Sequence, residues 1–152
     1  MTTQVASARI GIVPQSSADR AQVGSSLSAI RGMGAARALY GFVPLVLLMN
    51  GSDIGTGVAG PALLIVGLLT LLQGAAVVSL SSRLVRDDAG VLAAVLADAM
   101  AVVAGIALTL LAWDQFSVAA ATVVIGAVVV AVLSMVAIPL VAAKASSGSA
   151  RR

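Results

Sequence analysis

The sequence predicts an all-α polytopic membrane protein: four transmembrane helices in an up-down bundle, with both termini cytoplasmic. Three observations predict it. Of 152 residues, 60% are hydrophobic and 10% charged, whereas a soluble domain is typically about half apolar and a quarter charged. The apolar residues gather into four runs, each close to the ~20 residues that a helix needs to cross about 30 Å of hydrocarbon. All nine basic residues fall before or inside the first run, between the second and third, or after the fourth.

Residues 1–30 carry Arg9, Asp19 and Arg20 among Ser, Gln, Thr and Ala, without an apolar stretch long enough for a signal-peptide core. They are expected to form a mobile cytoplasmic tail. As the alternative, Val23, Leu27 and Ile30 share one face of a short interfacial helix. The transmembrane domain is expected over residues 31–143, with spans at about 32–50, 60–80, 90–112 and 116–140.

The first span ends near Asn50, because Asn50, Gly51, Ser52 and Asp53 form a polar, turn-rich cluster. Counting back one membrane thickness places Arg37 inside the bilayer. Pro44 then sits mid-span, where it removes a backbone donor and is expected to kink the helix. In Gly57-Val58-Ala59-Gly60 no lysine follows the glycines, so the segment reads as a flexible turn and not as a phosphate loop. The second span opens at Gly60 and Pro61, since a first-turn proline costs little. It stops at Ser81, Ser82 and Arg83, and a short charged connector follows.

The third span has Asp98 as its only charge and ends at Trp113, an interface-favouring residue. Asp114 and Gln115 leave so little connector that the third and fourth spans must form an antiparallel hairpin. The fourth run continues apolar to Ala143, longer than one crossing needs, so it tilts or bends near Pro139. Residues 144–152 are expected to be a basic cytoplasmic tail, with no soluble domain at either end.

Orientation comes from the bases. Arg9, Arg20, Arg31 and Arg37 precede or enter the first span, Arg83 and Arg86 join the second to the third, and Lys144, Arg151 and Arg152 follow the fourth. The other two loops carry only Asp53 and Asp114. The positive-inside rule therefore places both termini and the central connector in the cytoplasm. It also accounts for the basic isoelectric point without a nucleic-acid partner.

Chemistry is bounded by what is missing. The chain has no Cys and no His, and all six acids are Asp. Zinc peptidase motifs, b-type haem ligation and serine–histidine catalysis all lack their residues. An intramembrane aspartyl protease needs two facing carboxylates, and only Asp98 lies deep in an apolar run. No catalytic residue, metal site or cofactor is expected.

Asp98 is the most informative position, because a charge near the bilayer centre costs about 2.5 to 3.5 kcal/mol on the translocon scale. It needs a partner or a proton. Asp98 lies about 4 to 5 Å to the cytoplasmic side of its span's midpoint, and Gln73 and Arg37 come out at similar depths. A buried Arg37, Gln73 and Asp98 cluster linking three helices is the expectation, and Tyr40 is placed to join it.

Small residues at every fourth position let helix backbones approach closely. The third span offers Ala93, Ala97, Ala101, Gly105 and Thr109. The second offers Gly67, Thr70, Gly74 and Val77, and the fourth offers Thr122, Gly126 and Ser134 as a further strip. One reading of the polar cluster is structural, fixing helix register. The other is a proton or cation site in a small transporter, with Arg37 tuning Asp98. A third arrangement has Arg37 snorkelling to the interface while Asp98 stays protonated or faces a subunit contact.

The spaced pattern Arg37-Ala38-Leu39-Tyr40-Gly41, then Leu72-Gln73-Gly74, then Asp98 resembles small four-helix integral membrane proteins of actinobacteria. It covers most of the hydrophobic core. That group often shows a His soon after the Asp, where this chain has Ala99, Met100 and Ala101. The resemblance implies the topology and a bacterial cytoplasmic membrane, and it brings no activity. The expected function is that of a structural or accessory subunit, packing with itself as a homo-oligomer or with a larger membrane partner in the lipid bilayer. A proton- or cation-coupled carrier using Asp98 and a holin-like pore former are the alternatives.

Overall fold

A computed structural model describes residues 17–85 and 87–150. Arg9, Arg86, Arg151 and Arg152 lie outside the described residues. Four helices follow in order: α1 over Ser17–Met49, α2 over Ala59–Leu84, α3 over Asp88–Leu111 and α4 over Val118–Ala150, with a 3-10 turn at Trp113–Gln115 before the last. Each contains a stretch long and apolar enough to cross a membrane, with mean hydropathy between 1.5 and 2.8.

The apolar residues point outward as much as inward. Leu39, Leu96, Met100 and Leu111 are among many large hydrophobic side chains left exposed, Leu111 at 83%. Water would not tolerate that surface, and hydrocarbon favours it. The protein is therefore a four-span membrane protein whose outer faces contact lipid.

Its tightest internal contact is the hairpin of α1 and α2. Along α2 the buried positions are Leu63, Gly67, Thr70, Gly74, Val77, Ser81 and Leu84, and along α1 they include Ile30, Gly34, Arg37, Gly41 and Pro44. Both stripes alternate steps of three and four, the 3.5-residue period of a left-handed coiled pair. Glycine at every seventh place brings the backbones together. A Cβ on Gly34 would stand 2.9 Å from the Gly74 carbonyl oxygen, and one on Gly41 would stand 2.8 Å from that of Gly67. Real Cβ atoms do not approach so closely, so this antiparallel seam admits no side chain at those positions.

Helices α3 and α4 form the second hairpin, and α1 also packs along α4. Consecutive in sequence, α2 and α3 nevertheless meet only loosely, leaving a cleft between them. The connector before α3 is shaped by Asp87, which is extended and accepts the backbone N–H of Ala89 at 3.0 Å. A carboxylate at that position caps the helix and opposes its positive end.

Two differences from the sequence expectation concern helix length. Helix α1 begins at Ser17, so residues 17–30 are helical where a tail was expected, and α4 continues helically to Ala150 where 144–152 was expected to be one. The extensions pair with each other. Gln22 Nε2 donates to the Lys144 carbonyl oxygen at 2.7 Å, while buried Ile30 packs with Leu84, Ile138 and Val141. At 33 residues each, these helices are about 50 Å long. They overshoot an apolar layer of about 30 Å at the end of the bundle where α1 starts and α4 ends.

At the opposite end the turn expected to be flexible is held. Thr56 N–H donates to the Gln115 carbonyl at 2.8 Å, and Ser117 N–H donates to that of Ile54 at 3.2 Å. The Gln115 side-chain oxygen accepts from Val58 N–H at 3.0 Å. Gly55 and Gly57 supply the positive φ values, 103° and 57°, that let the chain turn there.

Candidate intramembrane polar site

The polar site sits between two apolar clusters, one around Ile30, Leu84 and Ile138, the other around Leu63, Val123 and Val124. Because Arg37 falls on the buried stripe of α1 between Gly34 and Gly41, its side chain is directed into the bundle. Arg37 and Asp98 are 3% and 2% exposed. Arg37 Nη1 donates to Asp98 Oδ1 in a salt bridge, and Nη2 donates to Gln73 Oε1 at 2.6 Å. Gln73 Nε2 then donates to the Ala97 carbonyl at 3.3 Å. The structure thus brings together the three residues on which the sequence argument converged, one from each of α1, α2 and α3.

The group is electrically balanced, one guanidinium against one carboxylate. Its hydrogen bonding is incomplete, since Arg37 Nε and Asp98 Oδ2 are buried with no partner. A charged atom left in this condition costs more than the 1–3 kcal/mol of a neutral one, roughly.

Tyr40 does not join the cluster. Its hydroxyl donates to the Val123 carbonyl of α4 at 3.0 Å, and it lies over Gly126, where any Cβ would collide with it. Gly126 is therefore room for a tyrosine and not one member of a strip. Thr122 is exposed and bonds back to Val118 of its own helix, whereas Ser134 is buried.

The other small residues divide by partner. Gly67 and Gly74 pack against α1, and Gly105 faces Val128 of α4. Ala93 and Ala97 remain exposed along the cleft, and Ala101 is half-buried there. Sequence reasoning missed Gly34 and Gly41, although their seven-residue spacing matches that of Gly67 and Gly74. It also missed the bond from Arg31 Nε to the Ser81 hydroxyl at 3.0 Å, since Ser81 read as the end of a span. Ser81 continues the Gly67 and Gly74 heptad, which was the available signal.

The cleft between α2 and α3 has two halves. One, of about 260 Å³, is bordered by Arg37, Thr70, Gln73, Ala104 and Gly105, with α4 behind it. The other, of about 330 Å³, runs from Gln73 and Asp98 past Ala93 and Ala97 to Arg83 and Asp87 at its mouth. Gln73 borders both, so its bond to Ala97 is the partition. Among the described residues, no three His, Cys, Asp or Glu side chains cluster as metal ligands.

No protein-family model, curated protein or solved structure matches this chain.

Proposed function

We propose that this four-span protein is a non-catalytic accessory or structural subunit of a bacterial cytoplasmic membrane, acting by helix packing with a second copy or a larger membrane partner. One observation carries the reading. Ala93 and Ala97, the small-residue face of α3, stay exposed along the half-cleft that reaches Arg83, because α2 does not close over them. In lipid, where apolar burial supplies no drive, helices associate in part by van der Waals packing, and small-residue faces let their backbones approach closely.

The chemistry of the chain supports the same reading. It lacks Cys, His and Glu, and Asp98, the one buried acid among the described residues, is engaged by Arg37. An ion path needs polar groups along its length. Beyond the cluster, the walls of the two half-clefts add only Thr70 within the membrane and Arg83 and Asp87 at one mouth.

A chain without cysteine makes the test clean. Ala93→Cys or Ala97→Cys is expected to cross-link to a second copy or to a companion in native membranes, while Leu110→Cys on an outward face of α3 is not. A strictly monomeric species with no companion, purified in mild detergent, would refute the proposal.

A further inference from the structure

The cleft between α2 and α3 runs from Ala62 to Arg83 along α2, a length of about 30 Å, so it spans the apolar layer. Both of its edges stay uncovered within the chain. Leu69, Ala76 and Leu80 on α2 and Ala93, Ala97 and Ala104 on α3 are all exposed.

Charge completes the pattern at the mouth. The bond from Gln73 Nε2 to the Ala97 carbonyl sets the register of the two antiparallel walls. Arg83 stands ten residues beyond Gln73, and Asp87 stands ten residues before Ala97. A cation and an anion therefore occupy one depth on opposite edges of the cleft, both exposed. The salt bridge among the described residues is that of Arg37 with Asp98, so Arg83 and Asp87 do not pair with each other.

This arrangement is self-complementary. Copies of one chain insert the same way, so two of them are related by an axis along the membrane normal, and each residue meets the other copy at its own depth. Turning the cleft about that axis lays α2 of one copy antiparallel to α3 of the other and sets each Arg83 beside the opposite Asp87. Alanine edges suit a helix, whose backbone gains from close approach, whereas a lipid chain packs equally well on any apolar side chain. We infer that a second copy of this chain closes the cleft, the two α2 and two α3 helices forming an interfacial four-helix bundle with reciprocal Arg83–Asp87 ion pairs. The inference rests on the packing reading and names the partner.

The chain has no cysteine of its own, so differently tagged copies carrying one cysteine each can be co-expressed and oxidised with copper–phenanthroline in native membranes. An Ala76→Cys copy is expected to form a disulfide with an Ala93→Cys copy. Leu92→Cys, exposed on α3 but outside both half-clefts, is expected not to link to Ala76→Cys. Adding Arg83→Glu to both copies is expected to lower the Ala76–Ala93 yield roughly tenfold, since two exposed ion pairs turn from attraction to repulsion. Arg83→Glu on one copy with Asp87→Lys on the other is expected to restore it, because opposite charges then face each other again. Asp87→Asn on both copies keeps a capping side chain and loses the charge, so the fall expected there reads the ion pair apart from folding. A yield that ignores all three charge changes overturns the inference. So does the absence of Ala76–Ala93 linkage, which leaves the cleft to lipid or to an unlike protein; in that case Ala93→Cys linked to a companion of different mass preserves the packing reading, and Ala93→Cys linked to nothing removes both.

Discussion

The Arg37–Asp98 pair sets the energetics of the polar site. Removing one member strands the other's charge among apolar walls, a change that costs about 3 to 5 kcal/mol for buried pairs. Arg37→Met and Asp98→Leu alone are each expected to destabilise the folded bundle by about that amount. The double variant is expected to recover most of the loss, because well-packed apolar replacements of a buried pair are often neutral or stabilising by about 1 to 4 kcal/mol. Reversible unfolding in mixed micelles measures this coupling, and additive single losses would show that the two side chains act separately. The contact itself was legible in the sequence. A charge in an apolar run must find a partner, and counting from the loop ends put Arg37, Gln73 and Asp98 at one depth. Tyr40 shows where that reasoning stops. Depth and periodicity do not say which helix lies beside a given face, so its bond to Val123 needed the lateral arrangement of α1 and α4.

Among the elements, the α1–α2 hairpin organises the rest, because its glycine seam presents Arg37 and Gln73 to each other. Gly41→Ala places a methyl against the backbone of Gly67 and Leu71, where nothing flexible yields. It is expected to cost about 1 to 3 kcal/mol. Gly32→Ala makes the same chemical change in the same helix with nothing within 4 Å of the new atom, and is expected to stabilise by up to about 1 kcal/mol through helix propensity. Opposite signs in one unfolding series would identify backbone approach as the cause, while two equal effects would contradict the seam. The spans of α2 and α3 were readable to within a few residues, since their polar ends are abrupt. The extensions of α1 and α4 were not, because a run of Ser, Ala and Arg is helical only when another helix lies along it. Val23, Leu27 and Ile30 carried the signal as a shared face, and burial of Ile30 against Ile138 explains it.

For the whole molecule, the two ends of the bundle make topology an all-or-none property. The loops holding Asp53 and Asp114 are hydrogen-bonded to one another through Thr56, Gln115, Ile54 and Ser117, so those two sites share one face. The α2–α3 connector and the paired extensions, marked by the Gln22–Lys144 bond, occupy the other end. Which end is cytoplasmic is a separate matter, decided by the placement of the bases. Single cysteines introduced at Asp53 and Asp114 are expected to react with an impermeant maleimide on intact cells, and one at Val85 only after permeabilisation. The outcomes divide the two claims. Reversed labelling of all three sites would contradict the orientation and leave the fold intact, whereas labelling of positions 53 and 85 from the same side would break the fold, because α2 would no longer cross the membrane between them.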